Sequence, residues 1–214
     1  MPLLPDKVPL TKRGFDLLIS TCGLIILSPL LLFISILLVI FQGLPILFRQ
    51  QRPGYRGKPF TIFKFRTMSE NFNLKDEPLP EDQRITKLGK FLRTISLDEL
   101  PELFNIFKGE MSFVGPRPLL IQYLDRYSSE QAKRHDVLPG LTGWAQINGR
   151  NAITWEEKFD LDLWYVDHWS FLLDMKIILL TIWKVIIREG IDEPGHISAG
   201  EFMGSKYKKN DHVK

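Results

Sequence analysis

The sequence has only one cysteine, Cys22, among its 214 residues. A single cysteine excludes a disulfide framework and a cysteine-based metal site within one chain, and it is compatible with a protein that faces the cytosol. Net charge is also low, because 28 basic residues stand against 25 acidic ones. A surplus of +3 is too weak to indicate a nucleic-acid-binding protein, although it suits an anionic membrane surface or anionic ligands. The sequence contains neither an internal repeat nor a low-complexity tract, and no glycine-rich nucleotide loop of the Walker or Rossmann type.

Charged residues are missing from residues 17–41, an apolar run long enough to be a candidate membrane segment. A signal peptide would have a shorter apolar core followed by a small-residue cleavage site. Here Gln42-Gly43-Leu44-Pro45 leads into further apolar sequence, which disfavours cleavage.

Ser28-Pro29 interrupts this run near its middle, because proline lacks a backbone donor and clashes with the preceding turn. Each half would form about 16–18 Å of helix, too short for a hydrocarbon core of about 30 Å. Both flanks are basic, and the positive-inside rule assigns both to the cytoplasm. The basic residues are Lys12, Arg13, Arg49, Arg52, Arg56 and Lys58. The sequence predicts a re-entrant helix–break–helix with its break at Ser28-Pro29, and the alternative is a proline-kinked spanning helix.

Residues 45–49 and 60–67 are predicted to form two strands of a hairpin around the loop-rich segment 53–58. Phe60, Ile62, Lys64 and Arg66 would share one face of the second strand by its period of two. The two cations could point at an anionic site or be solvated, since alternation alone does not decide between these readings. Residues 69–84 are polar, acidic and interrupted by prolines, which predicts a surface loop.

The segment 93–118 carries an adjacent carboxylate pair, Asp98 and Glu99. Carboxylates at a helix start can hold a divalent metal or act as nucleophiles. A structural interpretation is that Ser96 and Glu99 form a capping box. An apolar stripe at helical spacing follows, consisting of Leu100, Leu103, Phe104 and Phe107. Gly109 is predicted to end that helix.

Arg117 lies between two prolines in the Gly115-Pro116-Arg117-Pro118 turn. Because its backbone is restricted there, it is a candidate phosphate contact. Beyond this turn, residues 119–127 are predicted to be helical and residues 138–144 to form turns. Residues 154–166 are rich in aromatic and acidic side chains, and residues 171–188 are predicted to form a strongly apolar helix. Trp164, Trp169 and Trp183 fit either an interfacial aromatic belt or a packed core.

Taken together, these motifs resemble the small monotopic phosphoglycosyl transferases, the bacterial sugar transferases that load polyprenyl phosphate. The resemblance covers residues 10–190, and the motifs follow one another in family order. They are Lys12-Arg13 with Asp16, Ser28-Pro29, Phe63-Lys64-Phe65-Arg66-Thr67-Met68, Leu92-Arg93, Ser96-Leu97-Asp98-Glu99-Leu100-Pro101, Ser112-Phe113-Val114-Gly115-Pro116-Arg117-Pro118 and Gly143-Trp144-Ala145-Gln146-Ile147-Asn148-Gly149-Arg150.

The resemblance implies a mostly α fold with a small β-hairpin, in a monotopic membrane protein that has a re-entrant helix–break–helix and interfacial amphipathic helices. We expect residues 1–48 to form the lead-in and membrane hairpin, 49–190 the catalytic domain, and 191–214 a charged tail. The expected location is the cytoplasmic face of the bacterial inner membrane. The chain looks like the minimal form of the family, without the additional N-terminal helices of longer relatives.

The implied reaction moves sugar-1-phosphate from a UDP-sugar to polyprenyl (undecaprenyl) phosphate and releases UMP. By the family pattern Asp98 is the nucleophile, and Glu99 helps to hold Mg²⁺, with Mn²⁺ as a substitute. Splitting a diphosphate requires neutralisation of developing phosphoryl charge, and Mg²⁺ prefers one or two carboxylates plus substrate phosphates. The candidate phosphate contacts are Lys64, Arg66, Arg93, Arg117 and Arg150, and Gln146 belongs to a candidate substrate-binding loop.

Two other functions fit parts of this pattern. A metal-dependent phosphatase acting on lipid diphosphates could use the same acids and arginines, and a membrane adaptor without chemistry could be built on the same apolar segments. Later glycosyltransferases of the pathway are potential partners, and nucleic acid is not expected as one. The sequence does not name the sugar, although the small form favours an N-acetylated or diacetamido sugar by analogy.

Overall fold

Two helices joined at a sharp bend begin the described part of the chain. The computed structural model describes residues 8–69, 81–149, 153–187 and 201–204. The helices in these ranges are α1 (Leu10–Ile26), α2 (Ser28–Gln42), α3 (Glu81–Arg84), α4 (Lys87–Thr94), α5 (Glu102–Lys108), α6 (Ser129–Ala132), α7 (Trp144–Asn148), α8 (Trp155–Asp167) and α9 (Phe171–Ile186). Short 3-10 helices occur at Tyr55–Gly57, Leu97–Glu99, Ile121–Arg126 and Lys133–His135. The strands are β1 (Leu47–Pro53), β2 (Pro59–Phe65), β3 (Ser112–Val114) and β4 (Gly140–Thr142).

The break between α1 and α2 falls at the predicted place. The two helices meet at Leu27 with a bend of 59°, and Pro29 lies in the first turn of α2, where the missing N–H costs no helical hydrogen bond. Ser28 Oγ donates a hydrogen bond to the Ile25 carbonyl at 2.7 Å. Within the described ranges no single helix is long and apolar enough to cross a bilayer, whereas α1 and α2 together reach that length.

Polar contacts fix α1 to the rest of the protein. The buried Lys12 ammonium donates to the Val114 carbonyl at 2.9 Å and to Asp174 on α9 at 2.5 Å. Arg13, also buried, donates to the Ile106 and Phe107 carbonyls at the end of α5. A buried charge is tolerated only with such partners, so these two residues join the start of α1 to α5, β3 and α9.

The predicted hairpin is confirmed with shifted ends, because β1 and β2 pair antiparallel from Leu47↔Phe65 to Pro53↔Pro59. Phe60 and Ile62 are buried, as their shared face requires. The strand ends at Phe65, however, and Arg66 donates to the carbonyls of Gln42, Gly43 and Leu44 behind α2. Arg66 therefore binds the backbone at the C-terminal end of α2 and does not continue the face of β2 that carries Lys64.

A second, parallel sheet pairs β3 with β4 and was not predicted from the sequence. Its strands have three residues each, too short to show a period of two. The predicted helix over 119–127 is a 3-10 helix, Ile121–Arg126, and most of the predicted loop over 69–84 lies outside the described residues. The mostly helical character is confirmed.

The apolar stripe after the carboxylate pair was assigned partly to the wrong side chains. Leu103 and Ile106 are buried and face α1 and β2, whereas Phe104 is 55% and Phe107 36% exposed. The helix begins at Glu102, directly after Pro101. The prediction assumed that the helix starts earlier, and it therefore placed the buried face on the wrong residues. Gly109 ends the helix with φ of 79°, as predicted.

Helix α9 occurs where it was predicted, whereas α8 (Trp155–Asp167) covers most of the segment 154–166, for which no helix was predicted. Thr154 and Glu157 form a capping box at the start of α8, and Ser170 caps α9. Of the three tryptophans, Trp164 and Trp183 are exposed, while Trp169 donates its indole N–H to Asp174 at 3.1 Å. Trp164 and Trp183 therefore lie at the surface, whereas Trp169 belongs to a polar network with Asp174.

Candidate active site

A cleft of about 1260 Å³ lies between the hairpin, the 97–99 turn and helices α1, α7, α8 and α9. Every predicted catalytic or substrate-binding side chain that the structure describes lines this cleft. These residues are Lys64, Arg66, Arg93, Asp98, Glu99, Arg117 and Gln146. Arg150 lies outside the described residues, and Ser28 and Pro29 lie in the bend between α1 and α2. Segments far apart in sequence thus converge on one site.

The carboxylate pair lies in the 3-10 turn Leu97–Glu99, which follows a left-handed residue. Ser96 has φ of 55°, an uncommon conformation for a residue other than glycine, and its side chain makes no capping hydrogen bond. The capping-box interpretation of Ser96 and Glu99 is therefore wrong. Strained backbone of this kind persists where surrounding contacts impose it, and it places both carboxylates at the cleft.

Two cations hold Glu99. Its Oε1 accepts hydrogen bonds from Lys64 Nζ and from Arg117, each at 2.5 Å. Burial alone would raise the pKa of this carboxyl, but Arg117 and Lys64 outweigh burial and lower the pKa to about 2. Glu99 is accordingly ionised at neutral pH, and its Oε2 accepts no hydrogen bond from the described residues.

Asp98 differs from its neighbour. Its side chain is buried, yet none of the described cations forms a salt bridge with it. Burial raises the pKa of Asp98, the Glu99 charge raises it further, and Lys64 and Arg93 act in the opposite direction. A poorly solvated carboxylate without a hydrogen-bonded cation keeps its lone pairs available for bond formation.

Arg117 is positioned by close backbone packing. A Cβ at Gly115 would lie 2.2 Å from the Leu138 carbonyl oxygen, and a Cβ at Gly140 would lie 2.1 Å from the Gly115 nitrogen. Only glycine permits this approach, which lets Gly115 N donate to Thr142 O at 2.9 Å. This requirement explains why glycine occupies the first position of the Arg117 turn, Gly115, and the first position of strand β4, Gly140.

A buried ion pair supports the same turn from the other side. Arg134 donates to Asp162 at 2.6 Å and, through the same Nη2, to the Arg117 carbonyl at 2.9 Å. Arg134 and Asp162 are each 2% exposed. Because both charges are satisfied, the pair fixes the backbone of Arg117 relative to α8.

The remaining predicted residues have different surroundings. Arg93 donates to Thr67 Oγ1 at 3.0 Å and contributes to the potential at Asp98. The Gln146 amide is buried, and neither its Oε1 nor its Nε2 has a hydrogen-bond partner among the described residues. An unsatisfied buried amide is costly, so a molecule bound in the cleft would find a ready donor and acceptor there.

Comparison with known proteins identifies the family of this chain. The model of the family described as bacterial sugar transferase matches residues 8–188. The chain belongs to this family. A relative from Bacillus subtilis (strain 168), named uncharacterized sugar transferase EpsL, is 53% identical over 194 residues, which cover 91% of this chain and 96% of that protein.

Two longer relatives carry names that state an activity. The UDP-glucose:undecaprenyl-phosphate glucose-1-phosphate transferase of Klebsiella pneumoniae is 43% identical over 83% of this chain. The undecaprenyl-phosphate galactose phosphotransferase of Salmonella typhimurium is 38% identical over 84% of it. The chain spans 40% and 41% of their lengths. The family predicted from the motifs is confirmed, and so is the enzyme class, phosphoglycosyl transferase.

In this bacterial sugar transferase, Asp98 and Glu99 suit a hard divalent cation. Both carboxylates reach the cleft, and each has at least one oxygen without a described protein partner. No group of three or more carboxylate, histidine or cysteine side chains that could hold a metal occurs within the described ranges. Two carboxylates plus substrate phosphates are nevertheless a ligand set that Mg²⁺ accepts, so the residues fit the predicted metal.

Several charged residues of the sugar transferase site were missed by sequence reasoning. Glu102 is 2% exposed, and its Oε1 lies 3.2 Å from Lys64 Nζ. Burial, together with the Glu99 charge, raises the pKa of Glu102 to about 7 although Lys64 lowers it. The others are Arg52, Arg134, Lys158 and Asp162. Hairpin register would have pointed to Arg52, which shares the face of Phe48 and Gln50 in β1.

Proposed function

We propose that this chain transfers sugar-1-phosphate from a UDP-sugar to polyprenyl phosphate through a covalent intermediate on Asp98. The observation that carries the proposal is the different surroundings of two adjacent carboxylates in one cleft. Asp98 is buried and has no salt bridge to a described cation, whereas Glu99 accepts hydrogen bonds from Lys64 and Arg117. The family membership and the names of the longer relatives support the same reaction class.

The first step forms a bond between an Asp98 carboxylate oxygen and the β-phosphorus of the UDP-sugar. The bond from that phosphorus to the bridging oxygen breaks, and UMP leaves with the electron pair. Lys64 and Arg117 hold Glu99 in place, and a divalent cation bound by both carboxylates would neutralise charge on the phosphoryl oxygens.

In the second step a phosphate oxygen of polyprenyl phosphate attacks the same phosphorus and displaces the Asp98 carboxylate. The product is a polyprenyl diphosphate sugar, and Asp98 is regenerated. An apolar wall of the cleft suits the first isoprenyl units of the lipid. It contains Phe15 and Ile19 of α1 and Ile178 and Ile182 of α9.

This function requires the cleft to lie at a membrane surface. Helices α1, α2 and α9 expose large apolar side chains, an arrangement that is costly in water and suits insertion into lipid. The exposed residues include Leu18, Ile25, Leu32, Phe33, Ile40, Leu172, Leu179 and Trp183. We propose that α1 and α2 enter the cytoplasmic leaflet of the bacterial inner membrane and return to the same face.

The direct test of function is a screen of UDP-sugars for UMP release with polyprenyl phosphate present. We expect one or a few sugars to give UMP together with a lipid-linked product. Inorganic phosphate released from lipid diphosphates, without UMP, would instead favour a phosphatase, and no turnover of any substrate would favour an adaptor.

Arg117→Lys keeps the positive charge but loses the two-pronged guanidinium that reaches Glu99. We expect kcat/KM to fall by about tenfold or more, since a charge-assisted hydrogen bond of fixed geometry is lost. Arg126→Lys is a matched control, because Arg126 contacts Glu201 and Phe202 away from the carboxylate pair. Full activity of Arg117→Lys in the UMP-release assay would mean that charge alone matters at this position.

The re-entrant arrangement predicts the response to loss of the break. Replacing Ser28 and Pro29 together by alanine removes the hydrogen bond to Ile25 and favours a straight, spanning helix. Single cysteines at the N-terminus and in the 69–84 segment, on a Cys22→Ser background, are labelled from either side of intact cells. In the parent both should react only from the cytoplasm, whereas in the double variant the N-terminus should partly react from outside. Labelling of the parent N-terminus from outside would contradict re-entry.

A further inference from the structure

Most cations around the cleft already have salt-bridge or hydrogen-bond partners. Lys64 and Arg117 share Glu99, Arg134 is paired with Asp162, and Arg66 is bonded to backbone carbonyls. Arg52 and Lys158 are different, because among the described residues neither lies within salt-bridge distance of a carboxylate. Both side chains line the cleft.

Arg52 lies near the end of β1 and is only partly exposed. One terminal nitrogen donates to Gln50 Oε1 at 2.6 Å, while the buried Nε has no hydrogen-bond partner within the described ranges. Burial lowers the pKa of Arg52, and the charge of Arg117 lowers it further. A guanidinium with an unused donor beside another guanidinium is an unfavourable arrangement unless an anion joins them.

Lys158 lies on α8, and its ammonium is 4.4 Å from the centre of the Trp155 ring. Burial lowers the pKa of Lys158, with Asp162 opposing this effect and Arg134 and Arg117 adding to it. A cation–π contact offsets only part of the loss of hydration. Lys158 therefore shares with Arg52 both partial burial and the neighbouring charge of Arg117.

Arg117 interacts with both the carboxylate pair and the two cations. It donates to Glu99 at 2.5 Å, and its charge lowers the pKa of Arg52 and of Lys158. All three cations line the same cleft. A diphosphate whose β-phosphorus is at Asp98 has a second phosphate, which also needs cationic partners in this cleft. That phosphate becomes the doubly charged end of UMP when the bridging bond breaks.

We infer that Arg52 and Lys158 form the subsite for the nucleotide phosphate, which is the leaving group of the first step. This inference rests on the proposed function and adds two residues to it. The subsite takes a phosphate monoester, and it stabilises the charge that develops as UMP departs.

The test compares binding of UMP and uridine, which differ only by the phosphate. The full chain is used as the parent and as the variants Arg52→Met, Lys158→Met and their double replacement. Lys133→Met is the matched control, since Lys133 is exposed and paired with Glu130 on the surface. The parent should bind UMP at least about tenfold more tightly than uridine, and each single replacement should reduce that ratio severalfold.

Two further measurements separate this role from a general loss of folding. UMP release from the UDP-sugar should slow by about tenfold or more in the double variant. The double variant should keep the parent affinity for uridine, which a misfolded protein could not do. Arg52→Lys should restore part of the preference for UMP.

An unchanged ratio of UMP to uridine affinity in the double variant would overturn the subsite, as would a parent that binds the two equally. Either result leaves the proposed function in place if the parent still releases UMP. Failure of the parent to release UMP from any UDP-sugar would instead refute the proposed function.

Discussion

Asp98→Asn is expected to lower kcat by about a thousandfold or more, because an amide cannot form the covalent phosphosugar intermediate. The replacement preserves side-chain shape, and Asp98 has no described salt bridge to lose, so fold and membrane binding should be retained. The assay is UMP release from the preferred UDP-sugar with polyprenyl phosphate present.

Asp160→Asn is the matched control for this replacement. Asp160 is exposed on α8 and does not line the cleft, so the same chemical change there should leave kcat near the parent value. If Asp98→Asn kept a tenth or more of the parent activity, the nucleophile would have to be another residue.

Removal of divalent metal by excess EDTA is expected to lower activity by about a hundredfold or more, and Mg²⁺ or Mn²⁺ should restore it. The expectation follows from the two carboxylates at the cleft, since hard oxygen ligands and phosphates together favour these ions. Full activity in excess EDTA would refute a metal-dependent mechanism.

Glu99→Gln distinguishes a metal ligand from a purely structural acid. The variant should need a higher Mg²⁺ concentration for half-maximal rate and should also have a lower maximal rate. Loss of the carboxylate also releases Lys64 and Arg117 from their shared partner. Glu130→Gln, on the exposed helix α6, should change neither quantity.

The sequence predicted the elements whose signals are local. The break at Ser28-Pro29, the hairpin, the end of α5 at Gly109 and helix α9 each depend on a proline, a turn, a glycine or a continuous apolar segment. The carboxylate pair and the Arg117 turn were also identified from short motifs, and the structure places both at one cleft.

Interactions between distant segments could not be predicted in the same way. The buried contact of Lys12 with Asp174 joins residues 162 positions apart, and nothing local in either segment indicates the other. The parallel pairing of β3 with β4 is too short to leave a hydrophobic period, and the Arg134–Asp162 pair appears in sequence as two ordinary surface charges.

Arg66 shows a further limit of reasoning from strand alternation. Period two placed it on the same face as Lys64, but the strand ends one residue earlier. Its guanidinium then finds the unsatisfied carbonyls behind α2, which are hydrogen-bond acceptors that only the folded arrangement brings within reach.

Mass spectrometry of the trapped intermediate tests the central claim most directly. The enzyme is incubated with its UDP-sugar in the absence of polyprenyl phosphate, denatured and digested. We predict that the peptide containing Asp98 gains the mass of the sugar phosphate, that fragmentation assigns the added mass to Asp98, and that later addition of polyprenyl phosphate before denaturation removes it. An adduct on Glu99, or no adduct under conditions in which UMP is released, would contradict the account.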